Sequence, residues 1–206
     1  MSLSSSSAPI DAKELLESVE FLLKTRARVI PKHSPPHTLY DVACGHGLTG
    51  LLFAALHPSL RVVLCDARRP SSFAPLLAAV AAVRPHVRSS VTYVESPLSA
   101  LPPPPGSSAV IAVHACGSLT DAALAFAADV SASTAAVMPC CYTGTAAGAP
   151  AGARRMLGVG LAADLERAYR MEARGFRTDF SAIAEEITPM NRILVAERRG
   201  GGHAVK

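Results

Sequence analysis

Apolar and polar residues alternate with the period of a helix near the start of the chain. The apolar positions between Ile10 and Ile30 are Leu15, Leu16, Val19, Leu22 and Leu23. Acidic residues come before them and basic residues after them, an order that the helix dipole favours. Pro31 then ends the pattern, because proline cannot continue helical hydrogen bonding. We predict one amphipathic helix from Ile10 to Ile30.

From Leu39 onward, short apolar runs alternate with helical patterns. The runs predict strands at Leu39–Cys44, Arg61–Cys65, Val87–Val94, Ala109–Ala115 and Ala135–Pro139. The helical patterns predict helices at Leu48–Leu56, from a capping Ser72 to about Val83, at Leu119–Ala128 and from about Val159 to Arg174. Two more strands, Phe176–Ile183 and Ile193–Arg198, are predicted to pair in the antiparallel sense.

This order of elements predicts an α/β fold. We expect a doubly wound, mostly parallel seven-stranded sheet with an antiparallel last strand. The 206 residues suit a single domain, which we assign to residues 10–199, with disordered tails at 1–9 and 200–206. Residues Tyr142 to Gly152, rich in Gly, Ala and Thr, are predicted to form a flexible loop.

Composition narrows the class of protein. Half of the residues are apolar, which excludes a largely disordered chain. No apolar stretch is long enough for a membrane span, so no membrane partner is expected. The five cysteines have no regular spacing, which argues against a secreted disulfide framework and predicts a cytoplasmic location, with an organellar address left open.

Residues able to do chemistry follow each predicted strand. They are Cys44 to Gly50, Asp66, Glu95, His114 to Gly117, and Cys140 to Tyr142. In a doubly wound sheet, ligands bind outside the carboxyl ends of the strands. The agreement between topology and composition therefore predicts a ligand site at this edge.

A glycine-rich turn joins the first strand to its helix. The segment Gly45-His46-Gly47-Leu48-Thr49-Gly50 has the spacing GxGxxG. Glycines let the backbone approach a ligand, and a helix N-terminus offers free N–H groups. Asp66 lies where a carboxylate can accept hydrogen bonds from a ribose diol. An ordinary tight turn and a surface aspartate are the alternative interpretations.

The segment Asp41-Val42-Ala43-Cys44-Gly45-His46-Gly47 resembles the DxGxGxG signature of class I methyltransferases, with Ala43 where a glycine is common. The resemblance extends from about Leu39 to Arg198. It implies the Rossmann-like methyltransferase fold and S-adenosylmethionine as cofactor. It also implies cofactor-binding roles, which fall on Asp41, Gly45, Gly47, Asp66, Glu95 and Ser96, and on His114 at the end of the fourth strand.

A narrower resemblance involves His114 to Asp121 and Met138 to Tyr142. These segments are similar to an HxCGxLTD…CCY pairing found in a poorly characterised group of methyltransferase-like proteins and, in a related form, in tRNA 2′-O-methyltransferases. The chain lacks the cysteine/histidine zinc modules expected of the tRNA enzymes. The resemblance therefore favours the methyltransferase-like group over a tRNA substrate.

Three residues are candidates for catalysis. His114 is the best-placed general base, since imidazole titrates near neutrality, but a structural histidine fits equally well. Asp121 is a second candidate, although we favour a role in capping the helix that starts around Leu119. Tyr142 is the third candidate, and it either orients the acceptor or has only a packing role within the protein.

Two further hypotheses concern ligands. His114, Cys116, Cys140 and Cys141 suggest a zinc site, but adjacent cysteines rarely both reach one ion, so we favour buried thiols and predict no metal. Asn191 or Arg192 could close over the acceptor, and a turn with a strand-edge arginine is the alternative.

The sequence thus predicts an S-adenosylmethionine-dependent methyltransferase. A small molecule is the favoured acceptor, with RNA second and protein third. One alternative is a scaffold subunit that needs a protein partner or a second copy of the chain. Another is a nicotinamide-dependent oxidoreductase, which shares GxGxxG and an acidic residue about twenty positions later.

Overall fold

The computed structural model describes residues 10–104, 106–142, 145 and 148–199. The strands are β1 (Thr38–Val42), β2 (Arg61–Asp66), β3 (Val91–Glu95), β4 (Ser108–Val113), β5 (Thr134–Met138), β6 (Phe176–Ala182) and β7 (Arg192–Arg198). The helices are α1 (Ala12–Val29), α2 (Leu48–Leu56), α3 (Phe73–Val83), α4 (Val87–Ser90), α5 (Ser118–Asp129) and α6 (Ala151–Ala173). The tails predicted at 1–9 and 200–206 lie outside the described residues.

The strands form one seven-stranded sheet in the order β3-β2-β1-β4-β5-β7-β6. The first five strands in this order are parallel, and β7 is antiparallel to both β5 and β6. The predicted fold class is therefore confirmed. The strand order reverses between β1 and β4, and the crevice at such a switch point is where doubly wound folds bind ligands.

Helices cover both faces of the sheet, which is why β1, β4 and β5 are buried along their whole length. One core cluster contains Phe21, Leu51 and Ile111, with side chains from α1, α2 and β4. The other contains Leu124 and Met171, from α5 and α6, together with alternate residues of the same central strands. Both faces are thus closed, and only the sheet edges remain free for ligands.

Helix α1 lies across the first face with its end tied to the last strands. Arg28 forms ion pairs of 2.8 Å with both Glu197 of β7 and Asp179 of β6. Its carbonyl accepts a hydrogen bond of 3.1 Å from Thr134, at the start of β5. The carboxyl end of α1 therefore sits at the amino end of β5, and its first turns reach the opposite, carboxyl edge of the sheet.

The buried face of α1 differs from the predicted one. The helix buries Glu17, Ser18, Phe21, Leu22, Thr25 and Val29. Leu15, Leu16 and Leu23, which were assigned to the apolar stripe, are 43%, 51% and 51% exposed. The polar buried positions Glu17 and Ser18 lie where α1 passes the carboxyl edge of the sheet, so burial there does not follow hydropathy.

Three other sequence-based assignments are wrong in detail. The predicted strand Val87–Val94 begins as the short helix α4 and becomes extended only at Val91. The last helix begins at Ala151 and kinks at Gly158, whose φ of +76° interrupts the helical backbone. Ser72 precedes α3, but its side chain makes no capping hydrogen bond.

Candidate active site

The loop after β1 makes an unusually tight turn. Ala43, Gly45 and Gly47 have φ angles of +52°, +53° and +77°. Only glycine adopts this left-handed conformation without strain, so Ala43 stores roughly 1–2 kcal/mol of backbone strain. Gly47 then starts α2, whose first backbone N–H groups point out of the loop.

The two glycines of the loop have different surroundings. A Cβ atom on Gly47 would lie 2.5 Å from Cδ1 of Leu64. A Cβ atom on Gly45 would meet no heavy atom within 4 Å. Gly47 is therefore required for packing against β2, whereas Gly45 borders open space into which a ligand fits.

Asp66, at the end of β2, contacts this loop directly. Its Oδ2 accepts a hydrogen bond of 2.9 Å from the Gly45 N–H. Its Oδ1 accepts a weaker one of 3.4 Å from the Arg68 N–H. A carboxylate has about four acceptor sites, so Asp66 keeps capacity for the hydroxyls of a ribose.

The predicted residues of β3 lie next to Asp66. Glu95 is its partner in the parallel register of β2 and β3, and the Glu95 side chain is exposed. Ser96 donates its backbone N–H to the Asp66 carbonyl at 2.9 Å. Tyr93 also stabilises the glycine loop, since its hydroxyl donates a 2.5 Å hydrogen bond to the Gly45 carbonyl. The structure thus brings Gly45, Asp66, Glu95 and Ser96 together.

Asp41 does not face the open space. Its side chain is buried beneath the loop and accepts a 2.8 Å hydrogen bond from the Gly50 N–H. Burial, with a smaller contribution from the Asp66 charge, raises the pKa of Asp41 to about 7 against the lowering effect of the Gly50 hydrogen bond. Asp41 therefore fixes α2 against β1, and any influence on a ligand passes through the loop.

His114 lies at the end of β4, beside the glycine loop, and contacts α1. Its φ of +60° is strained for a residue with a side chain. Its Nε2 lies 2.9 Å from Oε2 of Glu17, whose side chain is only 3% exposed. The loop residue His46 has a similar partner, with its Nε2 3.0 Å from Oε1 of Glu14.

Neither close approach has the geometry of a hydrogen bond. Among the described residues, Nε2 of both histidines and Oε1 of Glu17 are buried without a hydrogen-bond partner, although each Nε2 faces a carboxylate and Lys13 lies 3.5 Å from Oε1. Buried polar atoms are almost always hydrogen-bonded, so a ligand or water at this position would complete their hydrogen bonds. Sequence reasoning missed Glu17, because the apolar stripe predicted for α1 did not place this residue on the buried side.

Asp121 is bound by arginines of α6. Its two oxygens accept hydrogen bonds of 3.1 Å from Arg167, and Arg170 also contacts it. The residue that precedes α5 is Gly117, and Asp121 lies inside the first turn, so the capping interpretation is wrong. These arginines lower the pKa of Asp121 against the raising effect of its burial, and it stays charged.

Tyr142 joins a second part of the same network, centred on the buried Asp164. The Tyr142 hydroxyl donates a 2.7 Å hydrogen bond to Asp164, and Arg192 donates one of 2.8 Å to the same oxygen. Arg167 reaches the other oxygen at 3.2 Å. Burial, followed by the Asp164 carboxylate, raises the pKa of Tyr142, so the tyrosine remains protonated. Both Asp164 and Arg167 were missed from the sequence.

The Asn191 side chain is also hydrogen-bonded within the protein. Its side-chain amide donates a 2.9 Å hydrogen bond to the Ile183 carbonyl. With Arg192 held by Asp164 and Tyr142, both residues suggested as an acceptor clamp bind the protein itself. The structure therefore shows them holding the start of β7.

Three cysteines converge where β4 and β5 end. The Sγ atoms of Cys116, Cys140 and Cys141 all lie within 4.8 Å of one another, and the first two are 3.0 Å apart. Hydrogen bonding to Cys140 and burial raise the pKa of Cys116 to about 12. The imidazole of His114 points to Glu17 and does not belong to this cluster.

The described residues also form cavities away from the glycine loop. One, of about 360 Å³, is lined by residues such as Pro31, His37 and His57 at the amino end of the strands. A second, of about 420 Å³, is lined by residues such as Leu98 and Phe126. A third, of about 500 Å³, lies between Ala149 and α6 at Tyr169. The lining of all three lacks the glycine loop, Asp66 and His114.

Comparison with known families gives one match. Residues 11–147 match a family described as a methyltransferase domain, which is well over half of the chain. No curated protein matches the sequence significantly. Among the described residues, no helix has the length and hydropathy needed to span a membrane.

Solved methyltransferase structures share the fold. An O-methyltransferase family protein from Burkholderia thailandensis has a TM-score of 0.56 at 14% identity, covering 92% of this chain and 57% of its own. A magnesium protoporphyrin IX methyltransferase from Synechocystis PCC 6803, with bound S-adenosylhomocysteine, has 0.53 at 14% identity, covering 91% and 83%. A 23S rRNA methyltransferase has 0.53 at 17%, covering 92% and 68%. The chain thus spans little more than half of the first of these proteins.

Proposed function

The chain belongs to the family of methyltransferase domains, and from this premise we propose that it transfers a methyl group from S-adenosylmethionine to a small-molecule acceptor. The observation that carries the proposal is the hydrogen bond between Asp66 and Gly45. It joins the acidic residue after β2 to the glycine loop after β1. A ligand that has both a ribose, for Asp66, and a second group bound by the backbone of the glycine loop would match this pairing.

The residues present fit such a cofactor. No heavy atom lies within 4 Å of the place where a Cβ atom of Gly45 would stand, so the loop is open there. Asp66 keeps free acceptor sites for a ribose diol. Glu95 and Ser96 lie beside Asp66, on the side of the loop where an adenine would follow a ribose. In this proposal Gly45 and Gly47 hold the methionine part, Asp66 the ribose, and Glu95 and Ser96 the base.

The bound cofactor would supply a methyl group made electrophilic by the sulfonium charge. The protein's contribution is then mainly alignment of the acceptor, which can supply on the order of 7–11 kcal/mol of the acceleration. His114 is the residue we assign to the acceptor. Its Nε2 faces the Glu17 carboxylate, which holds the imidazole ring, so the other ring nitrogen, Nδ1, would take the acceptor's proton.

The charges near His114 support a small acceptor over RNA. Glu17 lies next to His114, and Glu14 lies next to His46. Carboxylates at this position repel a phosphate backbone, which RNA-binding proteins attract with basic residues. The structural neighbours include both classes of acceptor: one is named for a small molecule, magnesium protoporphyrin IX, and another for 23S rRNA.

The decisive experiment is calorimetric titration with S-adenosylmethionine and S-adenosylhomocysteine. We expect saturable binding of both, weakened about tenfold or more in Asp66→Ala, because a hydrogen bond to a charged group contributes about 1.5–3 kcal/mol. Asp129→Ala is the matched control, since Asp129 is 64% exposed and pairs with Arg174. If folded wild-type protein binds neither molecule, the proposal fails.

The acceptor class is tested with a methyl-labelled cofactor. Small-molecule extracts and total RNA are offered separately, and we expect label to appear in the small-molecule fraction. His114→Asn should remove that label without changing cofactor binding. Label in RNA alone would overturn the acceptor assignment while leaving the methyltransferase proposal intact.

A further inference from the structure

We propose that Cys116, Cys140 and Cys141 form a zinc site with one open coordination position. Their three Sγ atoms lie within 4.8 Å of one another. Zinc binds thiolates at about 2.3 Å, so sulfurs around a tetrahedral ion stand about 3.8 Å apart. The 3.0 Å separation of Cys116 and Cys140 widens to this value with a small side-chain rotation.

The backbone explains how two adjacent cysteines can reach one ion. Strand β5 ends at Met138, and the chain bends at Cys140. Neighbouring side chains point to opposite faces only within a strand, so beyond β5 this alternation is lifted. The expectation that Cys140 and Cys141 diverge therefore does not hold at this position.

The two loops that carry the thiols are held together before any ion binds. The His114 N–H donates a 2.9 Å hydrogen bond to the Met138 carbonyl, and the Gly117 N–H donates one of 3.5 Å to the Cys141 carbonyl. These bonds flank the cluster on both sides. A metal site needs this rigidity, because its ligands must keep their distances and directions.

The charge that the thiolates need would come from the ion itself. Arg167, which donates a 3.2 Å hydrogen bond to the Gly117 carbonyl next to Cys116, is already paired with Asp121 and Asp164. Binding of Zn²⁺ would displace the three thiol protons and leave one net negative charge on the site. Soft thiolate ligands select Zn²⁺ over Mg²⁺ or Ca²⁺.

No fourth ligand joins the cluster among the residues that the structure describes. Cys116 is exposed, and Nε2 of His114 faces Glu17. Zinc sites with three protein ligands and access to solvent keep a position for water or a substrate. This inference concerns metal binding alone, so it stands or falls independently of the proposed methyl transfer.

The test is the metal content of the full chain purified without chelators or added metal. We expect about one zinc per chain in the wild-type protein, and loss of most of it in Cys116→Ala and Cys141→Ala. Cys44→Ala is the control, because Cys44 lies in the glycine loop outside the cluster. Circular dichroism confirms that each variant is folded.

Cobalt substitution gives a second readout. With cobalt added to saturation, the thiolate-to-cobalt charge-transfer band should lose one ligand's share of its intensity in each cluster variant and stay unchanged in Cys44→Ala. A wild-type protein that binds neither zinc nor cobalt when they are added would overturn the proposal. So would metal-free protein in which Cys116 and Cys140 are joined by a disulfide.

Discussion

Glu17 of α1 and His114 at the end of β4 are 97 positions apart in the chain, yet their side chains lie 2.9 Å from each other. Glu17 is buried, and a buried carboxylate is costly unless a partner stabilises it. A helix that precedes the sheet thus provides an acidic partner for a histidine at the carboxyl edge. This pairing gives the first prediction.

Removing either member of the pair should slow catalysis without weakening cofactor binding. We expect His114→Asn to lower kcat by about 10²- to 10⁴-fold, the usual contribution of a general base. Glu17→Gln, which keeps the shape but not the charge, should lower kcat about tenfold. Steady-state kinetics and calorimetry separate the two effects.

Glu20→Gln serves as the control for this pair, since Glu20 is on α1 but not in contact with His114. An equal loss of cofactor affinity in Glu17→Gln would show that Glu17 is structural. Unchanged kcat in His114→Asn would remove the proton-accepting role.

The two loop glycines should respond differently to alanine. At Gly45, alanine adds only the strain of a positive φ, about 1 kcal/mol. At Gly47, the new Cβ also overlaps Leu64, so we expect a loss of about 2–3 kcal/mol. Denaturant unfolding measures the difference, and equal losses at both positions would contradict the packing role of Gly47.

The buried arginine network should matter more for stability than for catalysis. Arg167→Met leaves Asp121 and Asp164 short of a partner, and breaking a buried pair costs about 3–5 kcal/mol. Tyr142→Phe removes two hydrogen bonds, one to Asp164 and one from Arg192, and should cost about 1–3 kcal/mol with little change in kcat. A large drop in kcat for Tyr142→Phe at normal stability would instead assign Tyr142 to the acceptor.

The raised pKa of Asp41 predicts an inverted pH dependence. A carboxyl with a folded-state pKa of about 7, above its unfolded value of 3.8, binds more protons in the native state between these limits. Its contribution to the free energy of unfolding therefore falls as pH rises through this window, by at most about 4 kcal/mol. Other carboxyls such as Asp121, with lowered pKa, act in the opposite sense.

Comparison with Asp41→Asn isolates this contribution. The amide cannot ionise and keeps an oxygen for the Gly50 N–H, so it should be relatively more stabilising at neutral pH than at about pH 4. Denaturant unfolding of both proteins across this range provides the measurement. A constant difference between them would exclude a raised pKa at Asp41.

The sequence predicts what depends on local pattern. The succession of strands and helices, the GxGxxG turn and the position of Asp66 follow from periodicity and from the rule that ligands bind at carboxyl edges. It did not predict α4, because the apolar residues before Val91 suit a helical turn as well as a strand. The part of α6 before Gly158 was also missed, because its Gly and Ala content favours a loop and the predicted helix began only at about Val159, directly after the kink.

The contacts across the site depend on long-range packing and could not be read from the chain. Glu17 is buried because α1 crosses the carboxyl edge, whereas hydropathy favours burial of Leu16. The role of Asp164 emerges only when α6, β7 and the loop at Tyr142 come together. The convergence of the cysteines depends on a bend after β5 that no periodicity signals.

The anchoring of α1 by Arg28 has a consequence for how the chain folds. Glu197 and Asp179, which hold the far end of the helix that carries Glu17, lie 169 and 151 positions further along the chain than Arg28. Contacts between positions so far apart form late, because a long loop must close before they contribute. The pair formed by Glu17 and His114 therefore depends on a helix whose final placement waits for the pairing of the most distant strands.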